Sequence, residues 1–417
     1  MEEFFVFAHS SEAKTVSEVK MKKGISINLK LIGDVAFYAG ILLEVLIMML
    51  DKCAWINPYE GWMFRITFLL FAFKVFVTPY TKKEKLVIIL AGLFAAVCYF
   101  VSTRDEVVRT VVFVASLKGI DGKKALKTVF WSTVAGMVIL ALLSMVGVLG
   151  TVIEQTDGYG FKMGRTRICL GVGCSNTLSI MIWALMTLGI YLYHESMKLW
   201  HYGVLLAATM VTYAATLTRT SLLMTIATLL MAVFMQYFKK LREAAWVYIG
   251  SIVAVFGCIG FSVWAAYVSA WYEQLDEWVI KIDAILTNRI VSLYAFSEGG
   301  ARLENWKLFG DPTYVNYFDM GYVRLFFWYG IIPGIVCVTV LCLLLWNFRK
   351  NKDYMGFVLT FSFAVFTVVE AHAVSVYIAR NYVLFLLGMY WIGMLGKNAN
   401  ETNWWTWLLP KRKGISG

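Results

Sequence analysis

AWVYIGSIVAVFGCIGFSVWAAYV, residues 245–268, is a run of small, aliphatic and aromatic side chains without a single charge. A helix rises about 1.5 Å per residue, so a run this long crosses the roughly 30 Å hydrocarbon core of a bilayer. It is too long for a strand and lacks period-two alternation, which excludes an outer-membrane barrel. Outward from it, comparable runs recur at 29–50, 61–79, 85–102, 104–117, 125–150, 174–193, 201–217, 220–237, 321–346, 355–373 and 381–396. The sequence therefore predicts an all-α, polytopic helical membrane protein with about twelve transmembrane helices.

Composition points the same way. Of 417 residues, 60% are hydrophobic and 16% charged, against about half and a quarter in soluble domains. With 16 Trp, 22 Tyr and 29 Phe and a mean hydropathy of +0.68, a soluble enzyme, a disordered chain and a disulfide scaffold are excluded. Seven Cys are scattered without CxxC or Cys/His spacing, so they read as small apolar fillers. Cys169 and Cys174 could approach each other as a disulfide. No carboxylate cluster suggests a metal, and no cofactor is expected.

The net charge of +11 does not imply nucleic acid here, because the basic residues lie between apolar runs and read as topology signals. Lys-rich segments follow the second, fourth, eighth, tenth and twelfth runs and precede the first. All fall on one side if twelve runs cross, which places both termini in the cytoplasm of a multi-pass cell-membrane protein. The expected organisation is a cytoplasmic segment 1–28, a membrane domain 29–396 with an outer loop 269–320, and a tail 397–417. TNWWTWLL in that tail resembles an interfacial Trp anchor. MEEFFVFAHSSEAK opens with two acids, unlike a signal peptide, so the first run is expected to remain as a span. AWYEQLDEWVIKIDAIL (270–286) in the outer loop reads as an amphipathic helix.

On that topology the two basic residue types separate. Of 13 Arg, only Arg242, Arg349 and Arg412 fall inside, whereas most Lys do. A planar guanidinium grips phosphate bidentately and stays charged when desolvated. Several such groups at one outer cavity would suit a pyrophosphate. The alternative for each is an interfacial anchor or a structural ion pair.

Four stretches carry the candidates. FKMGRTRICLGVGCSNTLS (161–179) holds Arg165 and Arg167, then Gly171 and Gly173, then Asn176; the glycines suit close backbone approach to a ligand or ordinary packing. ATLTRTSLL (215–223) places Arg219 in a break between two runs. NRIVSLYAFSEGGARLENWKLFGDPTYVNYFDMGYVRLFFWYGIIPG (288–334) holds Arg289, Asp319, Tyr322 and Arg324. VVEAHAVSVYIARNYVLFLLG (368–388) holds Glu370, His372, Arg380 and Asn381. His9, His194 and His201 fall inside, leaving His372 as the only outer histidine.

The order of these stretches, with the inner loop LKGIDGKKALK (117–127), resembles the O-antigen and capsular polysaccharide polymerase family over roughly residues 30–396. Two departures are Pro333 in the Y-G-I-I-G pattern and Cys174-Ser175 where His-Pro is common. The resemblance implies a membrane glycosyltransferase acting on lipid-linked oligosaccharide at the outer face. The growing glycan leaves its polyprenyl diphosphate carrier, such as undecaprenyl diphosphate, for a hydroxyl on the next repeat unit. It implies diphosphate binding by Arg165, Arg167, Arg219 and Arg289, and suggests a flippase and a chain-length regulator as partners beside the bilayer.

Arg324, Arg380, Asn176 and Tyr322 complete the candidate binding set. A diphosphate already leaves well, so positioning and charge stabilisation matter most. The acceptor hydroxyl needs a base, for which Glu370 or His372 is preferred over Asp319. Structural alternatives are an Asp319–Arg324 pair and a Glu370–Arg380 pair. Rival functions are an O-antigen-type ligase, a lipid-linked oligosaccharide flippase and a membrane scaffold. Only 5 Pro and charges gathered at one face argue against a transporter.

Overall fold

Capping residues fix where the apolar runs become helix. Thr81 and Glu84 form a reciprocal capping box, with Thr81 N donating to Glu84 Oε2 at 2.8 Å. This starts α3 (Lys82–Ser102) earlier than its apolar run suggests. Asp121 caps α5 (Gly122–Met145) through Lys124 N at 3.1 Å. Asp353 caps α15 (Tyr354–Phe366) through Gly356 N at 2.8 Å.

The structure, a computed structural model, describes residues 29–53, 55–155, 164–271, 275–296, 301–313, 317–396, 401–402 and 404. The expected cytoplasmic segment 1–28 and nearly all of the tail lie outside the described residues. The remaining long helices are α1 (Leu29–Lys52), α2 (Glu60–Val77), α4 (Glu106–Ser116), α6 (Ser175–Tyr193), α7 (Leu199–Thr216), α8 (Arg219–Tyr237), α10 (Ala245–Ser269), α14 (Ile331–Asn351) and α16 (Tyr382–Met394). Shorter ones are α9 (Lys239–Glu243), α11 (Glu277–Ile285), α12 (Arg289–Phe296) and α13 (Gly321–Trp328). Strands are confined to the pairs β1 (Tyr80–Thr81) with β4 (Glu401–Thr402) and β2 (Ile153–Gln155) with β3 (Thr166–Ile168) among the described residues.

Among the described residues seven helices are long and apolar enough to cross a membrane: α1, α3, α5, α6 continued to Ser196, α8, α10 and α14. The helices of the other five runs are shorter or more polar. α4 has 11 residues, and α15 and α16 have 13 each. The run 355–373 stops being helical at Phe366, so Glu370 and His372 sit in the connection beyond it. α11 does form within 270–286, but its buried residues are Val279 and Asp283.

α15 is the hub. It packs against α6, α8, α10, α14 and α16. Trp183 of α6 sits edge-on to Phe366 at 4.5 Å between centroids and donates Nε1 to Thr228 Oγ1 of α8 at 3.2 Å. A second aromatic cluster, Phe37, Phe71, Phe113 and Phe385, joins α1, α2, α4 and α16. The outward faces are apolar instead of charged: Leu86, Leu90, Leu93 and Phe100 on α3, and Val253 and Phe256 on α10, are exposed. Water does not favour that surface; hydrocarbon does.

The run 321–346 is broken at Tyr329–Gly330 into α13 and α14. Gly330 has φ +103°, and segment 307–310 supplies the missing backbone partners. Gly310 N donates to Tyr329 O at 2.9 Å, and Ile331 and Ile332 N donate to Lys307 and Leu308 O at 2.9 and 3.0 Å. A Cβ on Gly330 would meet Phe309 Cα at 2.5 Å. Gly330→Ala is expected to destabilise by at least about 1–3 kcal/mol, read as a lowered melting temperature in detergent. Gly250→Ala, in α10 with open space around it, is expected to be neutral or slightly stabilising.

Candidate functional site

A cavity of about 520 Å³ opens where the C-terminal end of α1, the N-terminal end of α6, the start of α12, segment 317–324 and the connections flanking 378–380 meet. Its charged lining is Lys52, Arg289, Arg324 and Arg380 against Asp51, Asp319 and Glu370. Four cations over three carboxylates leave one positive charge, unevenly distributed.

Arg289 is placed by Asp283 of α11. The Asp283 carboxylate accepts Ile290 N at 2.6 Å and Val291 N at 3.2 Å, holding the first turn of α12. Thr287 and Asn288, just before it, both take φ +62°, a strained conformation for residues with a Cβ. The Arg289 guanidinium then pairs with both Asp319 and Glu370. Neither the Asp319–Arg324 pair nor the Glu370–Arg380 pair occurs. Burial pushes the Glu370 carboxyl up to about 7, with Arg289 opposing the shift and Asp319 adding to it.

Arg324 and Arg380 are different. Arg324 is buried, its guanidinium 3.8 Å from the Trp328 ring centroid and 4.4 Å from that of Tyr317. Those π faces stabilise a cation without neutralising it. Arg380 projects from a 3-10 turn, Ile378–Arg380. Among the described residues neither guanidinium pairs with a carboxylate or donates a hydrogen bond, and Nε of each is buried without a partner. Lys52 is matched by Asp51 at 2.5 Å and lies over the Tyr377 ring.

Arg167 serves the scaffold. It pairs across β2–β3 with Glu154 at 3.1 Å, donates Nε to Thr216 O at 2.7 Å, and donates Nη2 to Asn176 Oδ1 at 2.7 Å and Thr218 Oγ1 at 3.3 Å. It thus ties the hairpin between α7 and α8 to α6, and only its partner Asn176 lines the cavity. Arg165 and Arg219 are exposed and outside the lining. Tyr322 is buried in the core, its hydroxyl donating to Ala364 O at 2.9 Å. His372 lies behind the wall, buried at 1% exposure between the Trp183 and Phe363 rings. Burial, with Arg380 and Lys52 near, holds its imidazole neutral, well below the usual histidine range.

Gly171 (φ +81°) faces the backbone of α5, where a Cβ would meet Leu140 O at 2.5 Å; its need is packing. Gly173 lines the cavity and donates its N–H to Lys52 O at 2.6 Å. Cys169 and Cys174 are both free thiols. Among the described residues no His, Cys, Asp and Glu group could hold a metal.

Sequence reasoning missed Asp51, Lys52, Tyr317 and Tyr377. Asp51 and Lys52 directly follow the uncharged VLIMML and read simply as the end of a span. Chemically, the arrangement offers two guanidiniums that form no ion pair among the described residues, and a carboxylate of raised basicity at the same cavity.

The fold and site define a polytopic helical protein with membrane-length apolar helices and a charge-lined cavity at their ends. No family model, curated protein or solved structure matches the chain. Arg167→Met is expected to cost about 3–5 kcal/mol, because Glu154 is left without its counter-charge. Arg165→Met is expected to fall within about 0.5 kcal/mol of the parent. Equal melting temperatures for the two variants would count against the scaffold role.

Proposed function

We propose that the chain is a polymerase of lipid-linked glycan repeat units, with its cavity at the extracytoplasmic end of a twelve-fold crossing and both termini cytoplasmic. The carrying observation is that Arg324 and Arg380 line one cavity and lack carboxylate partners among the described residues. A diphosphate ester presents two ionised phosphoryl groups, which two guanidiniums match in charge and donor geometry. The topology is supported by where connections fall. The end of α1, the start of α12 and residues of the α5–α6, α12–α13 and α15–α16 connections meet at the cavity. The Lys-rich connections, such as 82–85, 118–127, 239–242 and 349–352, belong to the opposite helix ends.

In this reading the acceptor hydroxyl attacks the anomeric carbon of the growing glycan. The bond from that carbon to the diphosphate oxygen breaks, and the electron pair leaves with the diphosphate. Arg324 and Arg380 stabilise the departing charge. Glu370 takes the hydroxyl proton, and Arg289 holds Glu370 and Asp319 together. Arg165 and Arg219 take no part in holding the diphosphate, and Arg167 acts through Asn176. A flippase delivering substrate and a chain-length regulator are the expected partners in the cell membrane.

Deleting the gene should make single lipid-linked repeat units accumulate on the outer leaflet. Units trapped on the inner leaflet would point to a flippase, and no accumulation of either kind would sink the polymerase reading. Arg324→Gln and Arg380→Gln are each expected to cut polymer at least about 100-fold at normal protein level, the scale of losing one transition-state donor.

Glu370 also sets a pH dependence. Only its ionised form accepts a proton, so polymer formation in proteoliposomes should fall as pH drops through about 7 and hold steady above it. In Glu370→Gln the activity should be lost and this titration should vanish from any residual rate. A residual rate that still titrates near 7 would assign the base elsewhere.

A further inference from the structure

Glu44 is the only ionisable acid between Asp34 and Asp51 in α1, and it is 1% exposed. Its carboxylate joins four parts of the fold. Oε1 accepts Thr67 Oγ1 of α2 at 2.7 Å and Arg109 Nη2 of α4 at 3.3 Å. Oε2 accepts the backbone N–H of Ile378 at 3.3 Å. Arg109 is held in turn over the Phe64 ring at 3.6 Å and lies 3.7 Å from Asp105.

Ile378 opens the 3-10 turn whose third residue is Arg380. Within the turn, Arg380 N returns to Tyr377 O at 3.1 Å, and Asn381 N to Ile378 O at 3.0 Å. Both are local bonds that shape the turn but do not locate it in the bundle. Just before the turn, Lys52 of α1 lies over the Tyr377 ring and the Tyr377 hydroxyl donates to Glu60 Oε1 at 2.9 Å; from within the turn, the Ile378 N–H on Glu44 is the hydrogen bond that reaches α1.

A buried acid–guanidinium pair is a poor device for stability alone, since apolar side chains of similar volume often serve as well or better. What such side chains do not supply is an acceptor at one point for the Ile378 N–H. We infer that Glu44 is a positioning residue that sets Arg380 in the cavity from beneath. This rests on the reading of Arg380 as an anion-holding group.

The test uses the full chain in nanodiscs and titrates inorganic pyrophosphate by calorimetry. Glu44→Gln loses the charge that Arg109 holds in place, so its remaining acceptor oxygen is no longer fixed at the Ile378 N–H, and pyrophosphate binding should weaken about tenfold. Arg380→Gln should weaken it at least as much. The double variant Glu44→Gln/Arg380→Gln should bind no more weakly than Arg380→Gln alone, because both changes act through one guanidinium. As a safeguard against misfolding, Glu44→Leu/Arg109→Met removes the pair without orphaning a charge. It should stay folded, melting somewhat below the parent because the buried Ile378 N–H loses its acceptor, and show the same tenfold loss.

Parental affinity in Glu44→Gln or in the apolar pair, with Arg380→Gln impaired, would overturn the positioning role and leave the anion site standing. So would additive losses in the double variant. Absence of pyrophosphate binding by the parent protein would instead remove the anion site itself, and this inference with it.

Discussion

A charge held away from water persists only where a counter-charge, a hydrogen-bond acceptor or a π face meets it. That constraint organises the cavity end of this molecule. Arg167 answers it with Glu154 and three acceptor oxygens. Arg109 answers it with Glu44, Asp105 and the Phe64 ring. Arg289 takes two carboxylates. Among the described residues Arg324 is met only by rings, and Arg380 by the opening of the cavity itself. The degree of neutralisation therefore sorts five buried or half-buried guanidiniums into ties that hold helices together and groups left to face a ligand.

The same ties explain how short helices stay in place. α4, with 11 residues, cannot rely on length; it is pinned to α1 through Arg109 and Glu44 and packs its Phe113 against Phe71 and Phe385. α15, with 13 residues, is buried along most of its length between neighbours. Its end at Phe366 releases the chain to form the wall carrying Glu370, and Gly321 N closes on Thr367 O at 2.9 Å to seat α13 beside that wall. Packing, not hydropathy, decides where these helices stop.

Much of the helical layout was legible because hydropathy acts residue by residue. The run 245–268 became Ala245–Ser269 almost unchanged. The break inside 321–346 was not legible, because its cause is remote. Gly330 can leave the helix only since segment 307–310 provides backbone partners. The guanidinium-rich side was visible as a bias, and Arg289, Arg324, Arg380, Asn176, Asp319 and Glu370 do gather at one cavity. Which Arg is neutralised was not visible: Arg167 meets Glu154 through a pairing of two three-residue strands, β2 and β3, too short to announce themselves. Lys52 and Asp51 escaped notice because charges at the end of an apolar run have an ordinary topological reason to be there.

The uneven charge also bears on how a ligand would lie. The Asp319 and Glu370 carboxylates more than balance Arg289, so that side of the cavity repels a second anion and suits a neutral hydroxyl, which donates to carboxylate oxygen. Arg324 and Arg380, which line the same cavity without an ion pair among the described residues, attract one. A ligand with an anionic group at one end and a hydroxyl-bearing group at the other is oriented by this gradient before any specific contact is made. Reversing it would place phosphate against carboxylate in a partly desolvated space, where like charges repel more strongly than in water. Direction is thus set by which guanidiniums the fold leaves unpaired, and only secondarily by the shape of the cavity.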